Sequence, residues 1–163
     1  MLETARLRLR MFEESDLDAY ARMCADPEVM HHLGGRPLTR AETWRQIATY
    51  LGHWQLRGYG LWATELKESR TFIGRVGLWS PEGWPGLEVG WAIDRPFWGN
   101  GYATEAGEAA IRHAFETLDV PTLISVIHPD NPASMRVAEK LGATRRQRAV
   151  VNEWDAWIYG IDR

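Results

Sequence analysis

Three short stretches of this chain hold side chains whose types and spacing suit acid–base and anion-binding chemistry. In "LEVGWAI", strand alternation puts Leu87, Val89, Trp91 and Ile93 on one face and Glu88, Gly90 and Ala92 on the other. A carboxylate flanked on its own face only by small residues has space beside it, and partial desolvation there raises its pKa toward that of a general base. On a solvent-facing strand the same glutamate is ordinary surface. In "WGNGYATEA", Gly99, Asn100 and Gly101 lead straight into a helix rich in small residues. Glycines permit unusual backbone angles, and the unpaired N–H groups and positive dipole end of a helix start attract anions. A lone glycine pair is more often a plain turn. Here it lacks the third glycine of a dinucleotide fingerprint and the Lys-Ser or Lys-Thr of a Walker A loop. In "NPASMRVAEKLG", Asn131 is a good N-cap, Pro132 suits the first helical position and Gly142 the stop. Ser134 shares a face with Val137, Ala138 and Leu141, where a hydroxyl needs a partner from the backbone or a ligand, the backbone being the simpler source.

The remaining reactive groups read as structural. Cys24, the lone cysteine, excludes an internal disulfide and has no activating partner in sequence, so it is not assigned as an acyl-carrying nucleophile. The five histidines, including His31-His32, lack metal-ligand spacing; they are expected on the surface or in loops, and no metal is expected. Arg6, Arg8 and Arg10 alternate with Leu7, Leu9 and Met11, which predicts a half-buried strand with a solvated arginine face. Arg145, Arg146 and Arg148 read likewise as a solvated face rather than phosphate ligands. The nine tryptophans mostly signal core packing, with Trp44, Trp84 and Trp154 as candidate walls of an apolar acceptor site.

The elements that must position these groups alternate along a chain of 163 residues, a length that predicts a single domain over 1–163. Ser15 with Asp18 resembles a capping box, Asp26-Pro27 ends or bends the helix that follows, and Thr39 with Glu42 opens a second helix. Trp44, Ile47, Leu51 and Trp54 form that helix's apolar stripe. Two strand-like runs joined by "KESR" predict a hairpin, and "TRRQRAVV" with "EWDAWIYGI" a closing antiparallel pair. The order is β-α-α-β-β-β-α-β-α-β-β, a mixed α/β domain. A net charge of −3 and a pI near 6.0 give no basic surplus, so direct nucleic-acid binding is not expected. No apolar run reaches membrane-span length and "MLETARLRLR" has no signal-type apolar segment, so the expectation is a cytoplasmic protein.

The succession "EVGW", "WGNGYATEA", "NPASMRVAEKLG" resembles the GNAT superfamily of acyl-CoA-dependent N-acetyltransferases. "TARLRLR", "DPEVM", "FIGRVGL" and "DAWIYGI" extend the resemblance over essentially the whole chain, to the RimJ/RimL-type branch that includes ribosomal-protein N-terminal acetyltransferases. The resemblance implies an α+β fold within the α/β class: a mixed, mostly antiparallel, V-shaped sheet of about seven strands with about four helices. Its sheet would splay between the fourth and fifth strands, with acetyl-CoA in the gap. It implies a pyrophosphate held by the backbone of Trp98, Gly99, Asn100, Gly101, Tyr102, Ala103 and Thr104. Pantetheine would pair along Trp91, Ala92 and Ile93, with Asn131 and Ser134 against its arm and sulfur. Trp98 stands where the superfamily usually has Gln or Arg, as is usual in this branch, and Ala143 where a bulkier apolar residue is common.

The activity implied is acetyl transfer from acetyl-CoA to a primary amine. Glu88 would take the proton, directly or through water, and Ser134 would donate to the departing sulfur. The α-amino group of a protein or peptide N-terminus is the first acceptor reading. The alternatives are a small amine (amino acid, polyamine or aminoglycoside) and a non-catalytic acyl-CoA sensor. Partners are then acetyl-CoA and the amine acceptor, in a monomer or homodimer.

Overall fold

Leu7 and Leu9 are fully buried in β2 (Leu7–Arg10), as their alternation requires, in a computed structural model that describes residues 1–163. A two-residue strand, β1 (Leu2–Glu3), pairs with it, and Met11 lies past its end and is exposed. Of the arginine face only Arg6 is solvated; Arg8 and Arg10 are half-buried. The next strand, β3 (Leu61–Leu66), sets the buried Glu65 opposite Arg8. Glu65 accepts from Arg10 Nε at 2.9 Å and lies 3.4 Å from Arg8, while Arg10 grips Asp16 through two 2.7 Å contacts. A carboxylate rising from the neighbouring strand takes the place of the expected water.

A 3-10 turn, Glu14–Asp16, leads into helix α1 (Leu17–Ala25), and the capping box belongs to that turn, not to Ser15–Asp18: it is Glu13 with Asp16, whose carboxylate accepts the Glu13 N–H at 2.8 Å. Asp26 then caps a short helix, α2 (Pro27–Met30), so the Asp-Pro step bends the path rather than ending it. Helix α3 (Arg40–Arg57) has the expected Thr39–Glu42 box and stops at Gly58. Its buried residues are Thr43, Ile47, Tyr50 and His53, whereas Trp44 and Leu51 are exposed. The stripe is rotated because its polar members find partners: Tyr50 Oη meets Tyr20 Oη at 3.2 Å, and His53 Nε2 accepts the Ser80 N–H at 3.2 Å. His53 is therefore a core residue, contrary to the surface expectation.

Strands β4 (Phe72–Trp79), β5 (Glu88–Ile93), β6 (Thr122–Ile127), β7 (Thr144–Val151) and β8 (Trp154–Asp162) complete one eight-stranded sheet, ordered β1-β2-β3-β4-β5-β6-β8-β7. With α4 (Tyr102–Glu116) and α5 (Pro132–Lys140) there are five helices; β1 and α2 are the elements beyond the expected seven strands and four helices. Ala106, Ala110 and Ala114 of α4 are fully buried in one cluster with Ile73, Val76, Val89 and Ile93. Tyr20, Tyr50, Phe72 and Ala92 belong to the cluster on the side of α1–α3. At Gly107 an added Cβ would stand 2.9 Å from Leu141, so the glycine is what lets α4 and α5 approach. Every strand pair is antiparallel except β5–β6, which is parallel and in register only at Glu88–Ile124. The added β1 makes this the junction of the fifth and sixth strands instead of the fourth and fifth. No helix is long and apolar enough to cross a membrane.

Candidate active site

The sheet divides at Glu88. Ile124 N–H still donates to the Leu87 carbonyl at 2.9 Å, but the next donor, Val126 N–H, goes to Glu88 Oε1 at 3.1 Å. Ser125 Oγ donates to the Val89 carbonyl at 2.7 Å. Side chains thus replace the ladder, and the strands part. On the other edge, Asp94 N–H donates to the Ile73 carbonyl, which fixes residues 88, 90 and 92 as those that bond β4. The main chain of Val89, Trp91 and Ile93 therefore faces the gap. Trp98 Nε1 caps the Ile93 carbonyl at 2.6 Å, leaving the Trp91 N–H and C=O and the Ile93 N–H open.

Glu88 is 9% exposed and accepts from Trp84 Nε1 at 2.8 Å. Burial pushes its carboxyl up to about 7, against the lowering pull of the Val126 and Trp84 hydrogen bonds and the Arg75 charge. On its face of the sheet Gly77 pairs with Gly90, between the Trp79–Glu88 and Arg75–Ala92 pairs, so the floor there is bare. Above it opens a cavity of about 470 Å³ that Trp84, Trp154 and Ser134 also line. Trp44 lies outside it. The cavity wall holds His32 and His128, ring centroids 5.3 Å apart, with Trp154 6.2 Å beyond His128. Burial, His31 and His128 hold the His32 pKa below its ordinary value. His32 lies in the turn after α2, within the surface-or-loop expectation, and only the fold brings it to His128. No group of three or more His, Cys, Asp or Glu could hold a metal ion.

A second cavity, of about 340 Å³, runs along the open β5 edge. Trp91, Ala92, Ile93, Trp98, Gly99, Gly101, Tyr102, Ala103, Thr104, Asn131 and Ser134 all line it. Asn100 does not: its amide donates back to the Phe97 and Trp98 carbonyls, and its own carbonyl accepts from Arg6. Gly99 and Gly101 sit at φ 77° and 78°, and a side chain at Gly99 would project into open space. Gly101 is the N-cap of α4 without any side-chain cap, and the first helical bond comes from Glu105 N–H. The N–H groups of Tyr102, Ala103 and Thr104 are left free. Arg136 and Lys140 of α5 line the same groove, a pair of cations that sequence reasoning passed over as helix body. Arg146 and Arg148 instead pair with Asp162 and Asp155, and Arg145 lies over the Trp157 ring at 4.5 Å. Free donors, two cations and a turn that carries no side chain at Gly99 and Gly101 fit a pyrophosphate.

Ser134 joins the two cavities. Its oxygen accepts from Trp91 Nε1 at 3.3 Å across the gap, so its partner is a side chain and its own proton is uncommitted. Asn131 Oδ1 accepts the Ser134 N–H at 3.1 Å and fixes the turn. Cys24 is buried behind Tyr20 with its thiol pKa pushed up by burial, and it lines neither cavity.

Comparison with known proteins shows the family. Residues 6–144 match the model described as acetyltransferase (GNAT) domain. The uncharacterized protein YkkB of Bacillus subtilis (strain 168) is 35% identical, over 99% of this chain and 94% of its own length. A crystal structure of an acetyltransferase from Agrobacterium tumefaciens str. C58 superposes with TM-score 0.90 at 34% identity, covering 99% of this chain and 94% of that one. RimL, a ribosomal alpha-N-protein acetyltransferase solved in complex with coenzyme A, shares the fold at TM-score 0.82 and 20% identity, over 98% and 95% of the two chains. The split sheet, the glycine-bracketed helix start and these matches place the chain in the GNAT family of N-acetyltransferases.

Proposed function

We propose that this chain moves the acetyl group of acetyl-CoA directly to a primary amine, with Glu88 as the proton acceptor. The observation that carries this reading is a buried carboxylate of pKa about 7 at the fork between an open strand edge and an uncapped helix start. Acetyl-CoA supplies an activated acyl carbon and a thiolate leaving group. The N–H groups at the start of α4, with Arg136 and Lys140, bind the pyrophosphate. The open Trp91 N–H and C=O orient the pantetheine arm as a neighbouring strand would. A gap-facing N–H of β5 hydrogen-bonds the acyl oxygen where negative charge develops. Glu88 removes the ammonium proton, directly or through water, so that the amine lone pair is free to attack. Ser134, its oxygen held by Trp91, directs its proton at the departing sulfur.

The acceptor favoured is an α-amino group, first that of a peptide or protein N-terminus. A base near 7 matches an α-ammonium of pKa ~8 far better than a lysine of ~10.4. The second reading is a small amine, among which a free amino acid offers the same α-ammonium. Polycationic acceptors fit poorly, because Asp155, the other acid lining the larger cavity, is tied to Arg148. The test is acetyl-CoA turnover with mass-spectrometric detection. The panel holds peptides with free N-termini, the same peptides N-blocked but carrying lysine, and small amines. Product on free N-termini alone supports the first reading, and product on small amines alone installs the second. Binding of acetyl-CoA with no product anywhere overturns the catalytic reading in favour of a sensor.

A further inference from the structure

We infer that the acceptor carries a carboxylate near its amine and that Arg75 docks it, an inference that rests on the acetyl-transfer reading above. Arg75 lies on β4 and lines the larger cavity together with Glu88. Its Nε donates to Tyr20 Oη at 3.1 Å, and its guanidinium carbon lies 5.3 Å from the Tyr50 ring centroid. The Nη groups have no partner in the protein, and no carboxylate lies within 4.0 Å. This sets Arg75 apart. Arg22, Arg45, Arg112, Arg136 and Arg145 also lack ion pairs, but all of them are exposed to water. The half-buried Arg8 and Arg10 are both paired, with Glu65 among their partners. Arg75 alone is half-buried with no carboxylate in contact, although its charge reaches Glu88 across the floor.

Withdrawing a guanidinium from water without pairing it is costly, so the unpaired edge of Arg75 favours an anion. The planar fork suits a carboxylate through two parallel hydrogen bonds. Gln46 adds donors beside it: its amide oxygen accepts the Tyr20 hydroxyl at 2.6 Å, which leaves its N–H groups for the same cavity. Arg75 and Glu88 share one face of the sheet and flank the bare Gly77–Gly90 pair. One end of that floor accepts a proton and the other holds a positive charge. An acceptor with an ammonium and a carboxylate a few bonds apart matches both ends; a polyamine meets repulsion at Arg75.

The test compares each acid with its neutral counterpart. One pair is the standard L-amino acids against their carboxamides. The other is short peptide amides that begin with Asp or Glu against those that begin with Asn or Gln. In one pair the acid is favoured in kcat/KM by about 10- to 100-fold, the worth of a charge-assisted contact. Which pair responds distinguishes an α-carboxylate from an acidic side chain. Arg75→Met brings the ratio near one, chiefly through KM, and Arg75→Lys restores part of it. Calorimetric binding of the same compounds in the absence of acetyl-CoA reports the preference without turnover, and the wild-type ratio needs no variant to fold. Equal binding and turnover of acids and amides overturns the inference while leaving acetyl transfer standing, and so does a preference that survives Arg75→Met. Acid-selective binding without any acetyl transfer upholds the docking role and overturns the catalytic reading.

Discussion

Glu88→Gln separates the two consequences of burying one carboxylate. The side chain is 9% exposed, and its pKa is raised from 4.5 to about 7, chiefly by burial. Between those values the folded protein holds a proton that the unfolded chain releases. Stability is therefore complete below pH 4.5 and falls as the pH rises through about 7. At about 1.4 kcal/mol per pH unit the full penalty is about 3 kcal/mol. Glutamine carries no charge and escapes it. Its single amide oxygen serves only one of the two donors that Glu88 now accepts, Val126 N–H and Trp84 Nε1, which costs about 1 kcal/mol. The net gain is about 2 kcal/mol at pH 9, or roughly 4–8 °C in Tm for a chain of this size, turning into a small loss at pH 5. Thermal melts at the two pH values measure this, and a pH profile of kcat/KM measures the other consequence. The wild-type profile rises through about pH 7 to a plateau. The variant is roughly 10²- to 10⁴-fold slower and loses that inflection. An equal Tm offset at pH 5 and pH 9 would show that Glu88 is not desolvated. An inflection retained in the variant would assign the base elsewhere.

Three further outcomes follow from neighbouring contacts. Trp84→Phe removes a 2.8 Å donor that favours the charged carboxylate, so the rising limb of the pH profile moves to higher pH; a downward move contradicts the assignment. Gly101→Ala places a Cβ at φ 78°, which costs about 1–2 kcal/mol and strains the turn that aims the first N–H groups of α4, so the acetyl-CoA Kd rises about tenfold by calorimetry. An unchanged Kd removes the loop from the binding site. Ser134→Ala orphans Trp91 Nε1 and deprives the thiolate of a donor, lowering kcat about tenfold; a loss near that of a nucleophile would refute a supporting role.

What was legible in the sequence is what backbone periodicity and capping decide locally. Leu7 and Leu9 alternate into the core, Thr39 and Glu42 cap α3, Asn131 caps α5, and the small residues of α4 lie against the sheet. What failed was the burial of polar groups, because a partner from a distant element decides it. Glu65 draws in Arg8 and Arg10, and Tyr20 and Ser80 turn the α3 stripe toward Tyr50 and His53. The site divides the same way. The open face around Glu88 could be read from Gly90 and Ala92, but Trp84, His32, His128 and Arg136 reach the cavities from separate segments without a shared pattern. Arg75 left one overlooked trace: it is the sole charge in the apolar run "FIGRVGL".

The fork in the sheet and the chemistry proposed for it constrain each other. Two parallel strands can part without cost only if the donors they abandon are satisfied, and Glu88 Oε1 does this for Val126 by standing in for a ladder carbonyl. That substitution requires a side chain with an acceptor at the last paired position, which in turn buries the carboxylate. Burial alone would carry its pKa further above the ordinary range; the Val126 and Trp84 hydrogen bonds hold it near 7. The number of donors on Glu88 thus sets the pH at which the base is free, and the strand separation sets the number of donors. A substitution that closes the fork by one more ladder bond would free Glu88 from Val126, raise its pKa and narrow the groove together. Strand divergence and proton affinity are therefore coupled through a single hydrogen bond at 3.1 Å.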